Sequence, residues 1–212
     1  PTSGQTTIAY EDLPQYGGND WDYNDWIIEL EVEYIFNADG VKQIRFYADP
    51  WARGAAYHHS QGIAIAMGTY TSTGTYQVKH YNTAWEKTGE DAEVTFGAAE
   101  DIAITMFADT WETLPPNSVN GDTGVWSFDA NTEIGYGTVL GPKVGVEFHF
   151  DTALPMEPAQ LLNTAPGTHC ENMPYDLYLL VNNTGEYIAN GDTRMLCVPD
   201  YWDWPSEKQS IW

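Results

Sequence analysis

The chain has 212 residues, and its 31 Asp and Glu against 8 Lys and Arg give a formal charge of −23. So few bases form no stripe able to displace counterions from a phosphate backbone, which excludes nucleic acid as a partner and disfavours an anionic membrane surface. Hydrophobic residues at 42%, with 14% aromatic, supply a core and exclude disorder, and one domain is the default at this length.

The chain opens Pro1-Thr2-Ser3-Gly4 without an initiator Met, and we read it as a mature chain whose export signal has been removed. Thr6, Ile8 and Tyr10 alternate as a strand does. Residues 1–10 therefore form an N-terminal strand: an ordinary edge strand in the plain reading, a donor strand for a neighbouring subunit in the sharper one. A single sandwich domain is expected over residues 8–212.

The clearest strand covers residues 27–36. Ile28, Leu30, Val32, Tyr34 and Phe36 share one face, Glu29, Glu31 and Glu33 the other, and the turn Asn37-Ala38-Asp39-Gly40 follows. Ile102, Ile104 and Met106 repeat the pattern, as do Val144, Val146, Phe148 and Phe150. Weaker strands are expected at 8–13, 41–47, 62–67, 75–80, 93–96, 125–128, 175–181 and 193–198. Residues 156–166 read as a long loop or a single helical turn, and Asn-Gly-Asp-Thr at 120–123 and 190–193 as tight hairpin turns.

No stretch sustains a helical period, and the 19 Gly and 12 Pro are spread evenly. The fold expected is all-β: one antiparallel β-sandwich, jelly-roll-like, of about ten strands. No apolar run approaches the roughly 20 residues that a membrane-spanning helix needs.

The chemistry concentrates before the clear strand, in Gly17-Gly18-Asn19-Asp20-Trp21-Asp22-Tyr23-Asn24-Asp25-Trp26. Asp20, Asp22 and Asn24 stand at alternate positions, Asp25 is adjacent, and Glu11 and Asp12 end the preceding strand. Crowded carboxylates repel unless a hard cation joins them, and Ca²⁺ accepts about 6–8 oxygens in flexible geometry. The run resembles the first half of an EF-hand, yet Asp25 stands where that loop needs Gly, and Glu31, at the twelfth place, lies in a strand pattern. The expectation is Ca²⁺ held on a β scaffold by Glu11, Asp12, Asp20, Asp22, Asn24 and Asp25. The alternative is a solvated acidic turn.

Ala9-Tyr10-Glu11-Asp12-Leu13 followed by the run from Asp20 to Ile28 resembles the F-E-D-L and D-x-D-[YF]-N-D signature of LruC-type domains, which exported bacterial surface proteins carry. Met106-Phe107-Ala108-Asp109 is similar to a V-F-D-D segment of that family, and Val198-Pro199 with Trp204-Pro205-Ser206-Glu207-Lys208 to its ending. The chain departs from the pattern at Gly17-Gly18-Asn19, which is extra, and at Ser206, where Leu is usual. The resemblance implies an exported, calcium-binding β-sandwich module and no catalytic residues.

Cys170 and Cys197 are the right number for one disulfide, with two buried thiols as the alternative. His58 and His59 are adjacent and would face opposite ways on a strand, and His80, His149 and His169 lack metal-ligand spacing. His59-Ser60 has no nucleophile motif around it, and with 31 acids any carboxylate pair can be nominated for a glycosidase. Trp51, Tyr57, Trp85 and Trp111 fall in predicted loops and, with Trp202 and Trp204, could make a sugar platform. Their alternative is core packing. Trp21 and Trp26 are expected to anchor the acidic loop, and Asn182-Asn183-Thr184 is a glycosylation sequon.

The function expected first is that of an extracellular or cell-surface structural protein, assembling as a homo-oligomer or homopolymer into a fibre, matrix or surface layer. A carbohydrate-binding module with structural calcium comes second and a hydrolase last, so no enzyme is expected.

Overall fold

The computed structural model describes residues 2–11, 23–55, 58–65, 71–116, 129–132, 137–155, 175–180 and 195–199. These contain β1 (Thr2–Tyr10), β2 (Trp26–Asn37), β3 (Gly40–Ala52), β4 (Ser60–Ile65), β5 (Gly74–Tyr81), β6 (Lys87–Glu90), β7 (Val94–Phe96), β8 (Ile102–Phe107), the helix α1 (Thr110–Thr113), β9 (Lys143–Leu154), β10 (Asp176–Leu180) and β11 (Met195–Pro199). All strand pairings are antiparallel. They form an eight-stranded sheet in the order β11-β1-β2-β3-β9-β5-β6, with β7 also on β5, and a three-stranded sheet in the order β10-β4-β8.

Alternation decides which face of each strand is buried. On β2, Ile28, Leu30 and Val32 turn into the core while Glu31 stays exposed. On β9, Val144, Val146, Phe148 and Phe150 do the same, and on the small sheet Ile63, Ile65, Ile102, Ile104, Met106 and Leu177 join the same cluster. One core thus fills the space between two sheets, which is the antiparallel sandwich expected. Phe148 lies at its centre, with ring centroids 6.0 Å from Phe46, 5.7 Å from Tyr76 and 6.4 Å from Phe150. The sheets are joined by Phe46 against Tyr175 at 4.8 Å and Trp26 against Phe107 at 5.5 Å. Burying each such side chain stabilises by about 1.5–3 kcal/mol.

The turn after β2 forms as expected, with the Asn37 side-chain oxygen accepting from the Asp39 N–H at 2.9 Å. β3 runs five residues beyond the predicted 41–47 because Ala48, Pro50 and Ala52 continue the inward row. Its register slips between Ile27 and Ile28, which oppose Ala52 and Pro50, so Trp51 is the extra residue of a bulge. Pro at a bulge sacrifices no ladder bond.

Several expectations change. β1 is not an edge strand: β2 pairs with it from Thr2↔Tyr34 to Tyr10↔Trp26 on one side, and β11 from Thr6↔Pro199 to Tyr10↔Met195 on the other. The C-terminal strand returns to cover it, a non-local pairing that local alternation does not encode. β6, Lys-Thr-Gly-Glu, shows no alternation and is a strand only through its backbone pairing with β5. Helix α1 replaces a predicted loop. The strand expected at 125–128, the loop or turn at 156–166 and the turns at 120–123 and 190–193 lie outside the described residues. No helix among the described residues is long and apolar enough to cross a membrane.

This packing predicts that Phe148→Ala lowers the unfolding free energy by about 3–5 kcal/mol, whereas Glu31→Ala on the solvent face of β2 changes it by less than about 0.5 kcal/mol. Urea denaturation of both variants checks the assignment of faces, and a mild Phe148→Ala would overturn it.

Candidate functional site

The acidic segment meets the sheet where β1 ends and β2 begins. Tyr10 opposes Trp26 in the last pair of that ladder, so one further step of the register sets Glu11 against Asp25. Both are buried, Glu11 at 3% and Asp25 at 9% exposure, with Asn24 at 1%. Tyr23 precedes them in a left-handed turn, φ 55°. Asn24 is wedged against the end of β3: its carbonyl accepts from the Gly54 N–H at 2.9 Å, and a Cβ on Gly54 would stand 2.2 Å from its side-chain oxygen. Only glycine leaves room there.

Three of the six expected ligands, Glu11, Asn24 and Asp25, are thus brought together, while Asp12, Asp20 and Asp22 lie outside the described residues. Buried carboxylates near one another destabilise each other when both are charged. Their oxygen chemistry suits a hard cation. They do not complete a site by themselves: among the described residues, no group of three or more His, Cys, Asp or Glu is placed to hold a metal ion.

Beside them sits a fully buried base. Arg53 exchanges backbone hydrogen bonds with Ala130 at 2.9 and 2.8 Å, its Nε donates to the Leu114 carbonyl at 2.9 Å, and Nη1 donates to the Ala55 carbonyl. The guanidinium lies 4.3 Å from the centre of the Trp111 ring. Burial pushes its pKa down to about 10, partly offset by Asp129 and Asp109. It stays protonated at neutral pH, a charged rivet joining the end of β3 to α1 and to the 129–132 segment.

Asp109 caps α1, its Oδ1 accepting from the N–H groups of Trp111 at 2.9 Å and Glu112 at 3.3 Å. Its other oxygen meets His58 Nδ1 at 2.7 Å, and the His58 ring stacks on Trp111 at 5.5 Å. Burial alone would raise the Asp109 carboxyl, but the hydrogen bonds from His58, Glu112 and Trp111 outweigh it and hold it below the ordinary aspartate value. His59, facing the other way, is buried and accepts from the Thr110 N–H at 2.8 Å through its carbonyl.

The sequence reading overlooked Arg53 and met Asp109 only in the family resemblance, with no role given to it. Their signals were a base isolated in a very acidic chain and the Asp109-Thr110-Trp111-Glu112 capping pattern.

The expected aromatic platform divides. Trp111 is in α1, not a loop, and is held by Arg53 and His58. Trp51 is in β3, not a loop, and is 41% exposed. Trp85 is in the β5–β6 turn and 40% exposed. Trp26 is fully buried and packs on Phe107. Tyr57, Trp202, Trp204, Trp21 and the Asn182 sequon lie outside the described residues. So does Cys170, while the backbone of Cys197 sits in β11 opposite Ile8, and the disulfide remains an expectation.

No family model matches the chain, and no curated protein matches it. A solved structure described as "a Putative lipoprotein from Bacteroides ovatus" is similar at 11% identity and a TM-score of 0.46, over 92% of this chain and 54% of that one. The chain spans about half the length of that protein.

Asp109→Ala removes the helix cap and should cost about 1 kcal/mol. Because the folded value lies below the ordinary 3.8, the carboxylate's contribution is complete above that pH and is lost as pH falls through the depressed folded value. The variant should therefore show a shallower acid limb in a series of pH-dependent melts; an unchanged limb would refute the assignment.

Proposed function

We propose that this chain is a calcium-clamped β-sandwich module of an extracellular or cell-surface protein, with a structural or assembly role and no catalysis. The observation that carries the reading is the burial of Glu11, Asn24 and Asp25 at one end of the β1–β2 ladder. Side-chain oxygens gathered at one place are the ligand type a hard divalent cation takes.

The segments that resemble the LruC-type signature support it further. Tyr10-Glu11, Asn24-Asp25-Trp26 and Phe107-Ala108-Asp109 converge on this same end, with Trp26 packed on Phe107. Glu11, Asn24 and Asp25 would hold the ion together with Asp12, Asp20 and Asp22, and the ion would supply charge neutralisation and cross-linking of the loop to the sheet. Assembly would join copies of the chain; donation of β1 would be a swap that reproduces its β2 and β11 registers on a second copy.

Calcium at 100 times its Kd should stabilise the fold by about 2.7 kcal/mol, seen as a higher melting temperature that chelator reverses. Asp25→Asn and Glu11→Gln should lose that increment. Equal melts with calcium, with chelator, and with matched sodium chloride alone would overturn the clamp in favour of a salt-adapted acidic surface.

A further inference from the structure

The solvent face of the eight-stranded sheet carries an ordered surface that the clamp does not use. Cross-strand register sets Glu31, Tyr47, Gly145 and Lys79 in one row, while Glu29 opposes Asp49 and Lys143 opposes Tyr81 in the next. Three of the chain's eight bases stand here, each with an acid: Lys143 on Asp49, Lys79 on Glu147 at 2.6 Å, and Arg45 on Glu33 at 2.9 Å. Five acids, Glu29, Glu31, Glu33, Asp49 and Glu147, share the face with these three bases, so it is less acidic than the chain as a whole.

Gly145 makes room in it for two rings. A Cβ there would stand 3.1 Å from Tyr81 Cε2 and 3.4 Å from Tyr47 Cδ1, so both phenol rings lean over the bare backbone. Trp85 meets them edge to face at 5.5 and 6.0 Å, with Lys143 Nζ 4.7 Å from its ring centre. Trp51 projects from the same face of β3, and its indole hydrogen-bonds with Glu29.

Trp85 is not placed as core filler. Its backbone is left-handed, φ 63°, a conformation unfavourable for a bulky side chain. Asn82 builds the turn that imposes it, accepting from the N–H groups of Ala84 at 2.9 Å and Glu86 at 3.0 Å and donating to the Glu86 carboxylate at 2.7 Å. The turn thus holds the Trp85 ring over Tyr47, Tyr81 and Lys143 with 40% of the residue left open to solvent.

We propose that this face binds a neutral polysaccharide chain lying along β3. The two exposed indoles stack on the apolar faces of sugar rings, and Tyr47, Asp49 and Lys143 address hydroxyls. Flat aromatic bodies beside fixed donors and acceptors match that ligand class. Tyr47 and Trp51, four strand residues apart, are separated by about 13 Å, a span for an oligosaccharide rather than one ring. The net charge disfavours acidic glycans.

The test is affinity electrophoresis of the full chain, in calcium buffer, through gels containing β-glucan, xylan, galactomannan, amylopectin or alginate. Retardation is expected in at least one neutral polymer and not in alginate. Trp85→Ala should weaken it about tenfold, and Trp51→Ala and Gly145→Val should weaken it too. Trp85→Asn, which tolerates the left-handed backbone, should keep the fold by circular dichroism and still lose binding.

Migration unaltered by every neutral polymer would overturn the proposal, as would retardation that Trp85→Asn leaves intact or retardation confined to alginate. Dimerisation in sedimentation runs that Trp85→Ala abolishes, without glycan retardation, would assign the face to a second copy instead. None of these readouts depends on the chelator melts, so this site and the clamp fail separately.

Discussion

Placing carboxylates in a partly buried sheet when acids outnumber bases almost four to one is the constraint under which this structure is built. The few bases go where acids are drawn out of water. Glu147 shows the outcome: burial would raise its carboxyl, but Lys79, Arg45 and His149 together hold it below the ordinary glutamate value. Asp49 has Lys143 alone, and there burial wins and the carboxyl is raised. Glu29, half-buried, is raised as well, by partial burial and by the charge of Asp49 beside it. The number of cationic neighbours, more than the depth of burial, separates the two behaviours.

Arg53 applies the same rule in the interior. An unpaired guanidinium inside a protein is costly, so its Nε and Nη1 meet the carbonyls of Leu114 and Ala55, its plane meets Trp111, and Asp129 and Asp109 lie close enough to favour the charge. Removing it would break no local element by itself, yet β3, α1 and the 129–132 segment all converge on it.

Elements whose pattern is local were legible in the sequence. β2 follows from a period-2 row of apolar residues against glutamates, and β8 and β9 from the same arithmetic. The turn at Asn37 follows from side-chain chemistry. What was not legible is partnership at a distance. Nothing in Thr2–Tyr10 says that β11 will cover its second side, and Lys87–Glu90 is a strand only because β5 offers it an edge. Part of the acidic site shares this limit: Glu11 and Asp25 were nominated by type and proximity, but what brings them near each other is the pairing of Tyr10 with Trp26 beside them. Tyr47 and Tyr81 were overlooked because an aromatic on an alternating strand reads as packing until Gly145 is seen between them.

β3 ties the two proposed sites together physically. Its inner row, Ile44, Phe46 and Ala48, is core; its outer row carries Tyr47, Asp49 and Trp51; and its far end, Arg53 and Gly54, is clasped against Asn24. The bulge opposite Ile27 and Ile28 is where these roles meet, since the extra residue it accommodates is Trp51. A cation at Glu11, Asn24 and Asp25 would bear on the first residues of β2, the strand against which that bulge is registered. The clamp would then fix the aim of an indole on the outer face without touching it. The coupling would run through backbone register, which changes in whole steps and so transmits little until it slips.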